Sequence, residues 1–348
     1  MESEKRDNPD KEDFVLEKNA SDSHHPLRED IVRVREVSVS FGQHVVLNKT
    51  SFEIKEGEIF GIIGMSGSGK TTLLTTIVGA LKPQEGDVLF QSKQALGEKK
   101  FSSVFKNLYL VGSTFGFAAQ IPSFYPELTV WQNLEYFGAL YDLPEELVVE
   151  NAKRALKLVG LFGQEHLQAK FLSGGMQKKL DIACAIIHNP SILILDEPTA
   201  DLDPITRGDL LSLFKKINKE GKTIIIASHF LMELEFLCHR IGILHEGHIA
   251  EVGTVEELRR SFSNNKEIHL QTANGKYDII VEKLRKTKLL EITQIVDKGH
   301  KLVIYTPEAE AVLHHLLVAV KESSDSIVNV DVARPSLNEV FEKIIRHK

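Results

Sequence analysis

The sequence predicts an α/β fold with a parallel core sheet, followed by a small α+β domain, and three observations carry that expectation. Residues 58–64 form a nearly continuous apolar run that leads into a glycine-rich loop and then a helical pattern. Residues 192–195 and 223–227 are two further apolar runs with an amphipathic helix between them, an order that makes a parallel pair with a crossover. Beyond residue 265 short alternating strands and helices follow in the order β-α-β-β-α-β, which is ferredoxin-like.

Residues 1–29 are polar and charged and bury too little apolar surface to offset the entropy of ordering, so they are expected to be a disordered tail. His24 and His25 belong to that tail and are read as solvated. Residues 31–35 and 37–40 alternate as half-buried strands, and residues 51–54 do so again. The run at 58–64 suits a central strand covered on both faces. Leu73, Leu74, Ile77, Val78 and Leu81 then recur at helical spacing. Residues 125–190 read as mostly helical, broken at Pro126 and Pro144. Leu210, Leu211, Phe214 and Ile217 line one helix face, and Gly221 stops it.

The polar stretch at 261–266 is a candidate linker. After it, strands are expected at 268–271, 292–297, 302–305 and 328–332, with helices at 277–286, 308–321 and 336–346. The expected domains are thus 30–260 and 265–348, after the tail at 1–29.

A chain of 348 residues with 42% hydrophobic residues can build both domains without staples. The net charge of -7 argues against nucleic acid as a partner, which usually demands a basic stripe. Cys184 and Cys238 show no paired spacing and sit among apolar residues, so they read as reduced buried thiols. No apolar run approaches the roughly 18 residues that a membrane span needs, and the N-terminus has no apolar signal region. Any membrane role is therefore expected to come through a partner.

Gly64, Met65, Ser66, Gly67, Ser68, Gly69, Lys70 and Thr71 match G-x-x-x-x-G-K-[ST], with a strand before and a helix after. The glycines let backbone N–H groups and a helix N-terminus face phosphates closely. Lys70 is placed to neutralise β/γ-phosphate charge, Thr71 to ligate Mg²⁺, and Thr72 to add a second hydroxyl to the phosphates. Residues 192–195 then set Asp196 at the carboxyl end of a parallel strand, where open α/β sheets bind ligands. Asp196 suits the outer shell of Mg²⁺, and Glu197 is placed to polarise an attacking water.

Leu172, Ser173, Gly174, Gly175, Met176 and Gln177 resemble the LSGGQ signature of ABC ATPases and stand upstream of Asp196, as in that family. Ser173 is an N-cap candidate, and Met176, Leu180, Cys184 and Ile187 form one apolar helix face. Gln120 resembles the Q-loop glutamine, Asp203 the acidic residue of the D-loop, His229 the switch histidine, and Phe41 the aromatic residue that stacks on adenine. Residues 334–341 and Met176 are similar to the exporter subgroup.

The resemblance spans residues 31–260. It implies a P-loop NTPase fold of the ABC type, with a parallel core sheet, an antiparallel β subdomain and a helical subdomain. It further implies an ATPase that uses ATP and Mg²⁺, works as a homodimer or heterodimer, and powers a transmembrane permease from the cytoplasmic face, with export favoured. In the family's head-to-tail dimer, Ser173, Gly174, Gly175 and Asp203 act in trans on ATP held by the other copy. Glu197 and His229 are the catalytic pair, and Mg²⁺ is held by Thr71 with Asp196 and Gln120. An alternative is an ABC ATPase with a non-transport role, such as a cofactor-assembly scaffold. The stretch between Lys70 and Asp196 has no heptad run, which sets aside the coiled-coil members. Intact Glu197 and His229 set aside a non-hydrolysing regulator.

Overall fold

In the computed structural model, residues 29–341 are described apart from 94–98, 263–265, 276, 288–290, 334–336 and 338–340. The expected tail, save Glu29, lies outside the described residues, as do the centre of the linker and all of the last helix except Leu337 and Phe341.

The chain opens with β1 (Asp30–Phe41) and β2 (His44–Lys55), a long antiparallel hairpin, followed by β3 (Ile59–Ile63) and α1 (Lys70–Ile77). β4 (Glu85–Lys93) and β5 (Lys99–Ser103) complete an antiparallel sheet of order β2-β1-β4-β5. Next come α2 (Leu108–Thr114), β6 (Phe115–Ala118), α3 (Val130–Leu140), α4 (Glu145–Val159) and α5 (Gly174–Ile186). β7 (Ile192–Asp196), α6 (Pro204–Lys219), β8 (Thr223–Ser228), α7 (Leu231–Leu237), β9 (Arg240–His245), β10 (His248–Gly253) and α8 (Val255–Phe262) follow.

The central sheet has the order β10-β9-β3-β8-β7-β6, and every neighbouring pair is parallel except β10 with β9. Strand side chains alternate between two cores. Ile59, Ile63, Leu193, Leu195, Ile224 and Ile226 pack toward the helices. Phe60, Ile62, Ile192, Ile194, Ile225 and Ala227 pack with α1 and the antiparallel sheet. Covering both faces makes these strands apolar throughout, which is why they were readable as unbroken runs.

The remaining elements are β11 (Lys266–Thr272), α9 (Tyr277–Lys286), β12 (Gln294–Asp297), β13 (Leu302–Thr306), α10 (Ala309–Glu322) and β14 (Ile327–Ala333). They form an antiparallel sheet of order β12-β13-β11-β14 with its own core, including Ile268, Leu270, Tyr277, Ile304 and Leu316. Order and directions are those of the ferredoxin-like arrangement. Leu337 returns to the larger unit. It is fully buried in the helix-side core, and its N–H donates to Glu235 Oε1 on α7 at 3.1 Å.

Two local expectations change. Residues 31–35 and 37–40 belong to one strand, bent where Glu36 takes φ 45° and the register with β2 and β4 shifts. The helix after the glycine loop stops at Ile77, because Gly79 takes the left-handed conformation (φ 74°) that ends helices. Leu81 lies beyond it, half-buried against the same core.

Candidate functional site

Four parallel strands deliver the site, because their carboxyl ends lie side by side. β3 ends in the glycine loop, β8 in Ser228 and His229, β7 in Asp196 and Glu197, and β6 leads to Gln120. The result is a cleft of about 470 Å³ lined by Val46, Ser66, Gly67, Gly69, Lys70, Thr71, Thr72, Gln120, Glu197 and His229. Val46, from β2, was not foreseen. β2 carries it over the loop, held by its pairing with β1 and by hydrogen bonds from Asn48 and Thr50 to the Gly247 carbonyl.

The loop's shape depends on its glycines at two places. Gly69 has φ 99° and caps α1. A Cβ at Gly64 would stand 2.4 Å from Ser68 Oγ and 2.8 Å from the Leu244 carbonyl, so only glycine fits there. Met65 is exposed, and its carbonyl accepts the Ser68 N–H at 3.1 Å.

Lys70 is buried, with its ammonium 3.0 Å from the Gly64 carbonyl, 3.2 Å from the Met65 carbonyl and 3.2 Å from Glu197 Oε1. Glu197 Oε2 lies 2.8 Å from His229 Nδ1 and also accepts the His229 backbone N–H at 3.3 Å. The Glu197 backbone is left-handed (φ 47°), and its N–H is tied to the Ala227 carbonyl at 2.9 Å. Such a conformation costs of order 1–3 kcal/mol and persists only where the surroundings enforce it.

Thr71 Oγ1 donates to Asp196 Oδ2 at 2.6 Å, while the buried Asp196 Oδ1 and Ser68 Oγ have no hydrogen-bond partner. Burial holds the Asp196 carboxyl above the ordinary carboxylate range, against the Thr71 hydrogen bond, which lowers it.

A second group of the expected residues gathers elsewhere. Ser173 caps α5, accepting the Met176 N–H at 3.4 Å, and both Ser173 and Gly174 are exposed. A Cβ at Gly175 would meet Thr206 Cγ2 at 2.4 Å, so α5 lies tightly on α6. Thr206 in turn donates its hydroxyl to Asp203 Oδ2 at 2.6 Å, and Asp203 caps α6 through the N–H groups of Ile205 and Thr206. These hydrogen bonds hold the Asp203 carboxyl below its usual range, the Thr206 hydroxyl contributing most. Ser173, Gly174, Gly175 and Asp203 thus share one surface and are not in the cleft walls. Phe41 is also outside those walls. It pairs with His44 at the hairpin turn and is 56% exposed.

A parallel sheet with a glycine loop after one strand and an acidic pair after another defines a P-loop nucleotide-binding ATPase. Residues 47–200 match the family described as ABC transporter, and residues 253–345 match the C-terminal domain of the DrrA1-3-like ATP-binding proteins.

The linearmycin resistance ATP-binding protein LnrL of Bacillus subtilis is 28% identical over 89% of this chain and 97% of its own. The bacitracin transport ATP-binding protein BcrA of Enterococcus faecalis is 32% identical over 72% of this chain and 77% of its own. A solved ATP-binding subunit of an ABC transporter superposes with a TM-score of 0.58 at 27% identity, covering 67% of this chain and 93% of that one. The chain belongs to the ATP-binding subunits of ABC transporters, and its activity is ATP hydrolysis coupled to a transmembrane partner. Among the described residues no helix is long and apolar enough to cross a membrane.

Proposed function

We propose that two copies of the chain, or this chain and a similar one, close head to tail around two ATP molecules and so drive a permease at the cytoplasmic face of a membrane. The observation that carries this reading is the separation of the two phosphate-binding groups. The cleft holds Lys70 and Glu197, whereas the Ser173–Gly175 helix end and Asp203 lie together on another surface of the same subunit. An exposed helix N-terminus with bare glycine N–H groups suits an anion, and in a head-to-tail pair that anion is the γ-phosphate in the partner's cleft.

In the cleft, the Lys70 ammonium rests on Glu197 and two carbonyls. A triphosphate offers it denser negative charge. Once Lys70 turns to the phosphates, the Glu197 carboxylate is free to orient and deprotonate the attacking water. His229, already hydrogen-bonded to Glu197, contacts the γ-phosphate. Phosphoryl transfer to water needs little more than this positioning and charge stabilisation.

The donor set also fits Mg²⁺. Thr71 Oγ1 and Asp196 are 2.6 Å apart, Asp196 Oδ1 is buried without a partner, and Gln120 adds a third hard oxygen from the cleft wall. When bound, Mg²⁺ would neutralise charge on the β- and γ-phosphate oxygens. Phe41, exposed beside the β1–β2 turn, is assigned to the adenine.

The division into a tail at 1–29, an ATPase domain at 30–260 and an accessory domain at 265–348 belongs to this reading. So does export, which is supported by the resistance protein aligned along nearly its whole length.

Glu197→Gln tests the mechanism. Hydrolysis should fall at least about 100-fold, while ATP still binds and the variant elutes as a dimer on size exclusion with saturating ATP. A variant that stays monomeric under those conditions contradicts the shared site.

A further inference from the structure

The loop that carries Gln120 is gripped from outside its own strand. Lys178 and Asp181 lie one turn apart on α5, five and eight residues beyond its Ser173 cap. The Lys178 ammonium is buried and donates to the Gln120 carbonyl at 3.0 Å and the Ala119 carbonyl at 3.3 Å. Asp181 is 2% exposed. Its Oδ1 accepts the Ser123 N–H at 2.8 Å, and its Oδ2 has no hydrogen-bond partner.

Burying an ammonium and a carboxylate is costly, and neither group lines the cleft. What the two charges do instead is hold one short segment, 119–123, at both of its ends. One rigid helix therefore carries the exposed tip at Ser173 and grips the backbone of the loop that lines the nucleotide cleft.

We propose that Lys178 and Asp181 are positioning residues that fasten the Gln120 loop to α5, so that nucleotide contact at Gln120 moves the helix tip that the same subunit offers to its partner. This rests on the shared-site reading above, and it supplies the link between a subunit's own cleft and its contribution to the other one. Two sites joined in this way respond to ATP together, because one two-state element is biased from both ends.

The test is amide hydrogen exchange on the full chain with and without Mg-ATP, in a Ser173→Arg background that keeps the tip from engaging a second copy. In that parent, ATP should slow exchange at 66–72, 119–123 and 173–177 together. Adding Lys178→Met or Asp181→Ala should leave 66–72 protected and cut the ATP-dependent protection of 173–177 by about tenfold, the scale of one lost hydrogen bond to a charged group. Lys178→Gln and Asp181→Asn, which keep a donor and an acceptor, should recover most of it; a general loss of stability would not spare 66–72 or respond to these replacements.

Unchanged protection of 173–177 in Lys178→Met and Asp181→Ala overturns the proposal. So does a parent in which ATP protects 66–72 but not 173–177, whether or not the variants fold. The shared-site reading fails on a different result, full ATPase activity in Ser173→Arg.

Discussion

On the reading proposed above, the cleft and the helix tip both receive phosphate, yet they are built in opposite ways. In the cleft, formal charge is dense and tied by hydrogen bonds: Lys70 sits on Glu197, Glu197 on His229, and Thr71 on Asp196, whose Oδ1 is left without a partner. The tip residues themselves, an exposed serine cap and two glycines at the start of α5, carry no formal charge. Charged groups tied to one another in this way hold their shape without ligand, and on the proposed reading ATP exchanges one set of partners for another. Backbone N–H groups at an exposed helix end are satisfied by water until an anion arrives. On the proposed reading the first kind of site binds alone, and the second adds only to an anion that something else already holds.

The sharpest way to break this comparison is Lys70→Ala. It removes the one cation of the cleft's inner set and leaves Glu197 buried beside the phosphates with no ammonium between them. ATPase activity should drop by about 1000-fold or more, and equilibrium dialysis should show ATP binding weakened as well. Retained nucleotide affinity in this variant would mean that the loop backbone, and not the charge, dominates the cleft.

Ser173→Arg acts on the neutral site. It removes the cap and fills the space an anion would take, with an expected loss of about 100-fold in turnover at unchanged cleft affinity. Mixing it with Lys70→Ala should restore activity, because one mixed pair keeps an intact cleft facing an intact tip. A mixture no more active than either parent would place both groups of residues in the same subunit's site.

The two regions also differ in how legible they were. Strands with both faces buried, such as β3, β7 and β8, announce themselves as unbroken apolar runs, and each ends in a residue whose chemistry marks it. β6 is only four residues long, and Gly116 interrupts its pattern because a Cβ there would stand 2.2 Å from the Ala185 carbonyl of α5. Packing against a helix dictates that glycine, and no local periodicity reveals it. β9 and β10 were missed for a related reason. Gly242 faces Phe60, and β10 is half-buried along most of its length, so neither shows clean alternation. The tip was legible as a motif, whereas its closeness to Asp203 through Thr206 is a fact of helix packing. The grip of Lys178 and Asp181 on residues 119–123 spans elements far apart in the chain and had no sequence signal at all.

The far end of the tip's helix leads into a half-buried histidine, whereas His229 is exposed. His188 follows α5 directly and is stacked on Tyr141 of the helical region with ring centroids 3.7 Å apart, its Nε2 lying 3.1 Å from the Phe115 carbonyl of β6. Burial, chiefly, pushes its pKa down to about 4, with nearby Lys222 acting in the same direction and the Phe115 carbonyl opposing it. The unfolded chain therefore takes up this proton first, near the ordinary histidine value of about 6.5. Stability from this group is complete above that value and is lost as pH falls from it toward about 4.

Between pH 8 and pH 5 the loss should come to about 2 kcal/mol, and His188→Gln, which keeps a donor for the Phe115 carbonyl, should flatten that part of the stability curve. Urea melts of both proteins across this range measure it directly. A parallel acid loss in the variant would move the acid-sensitive group away from the base of α5.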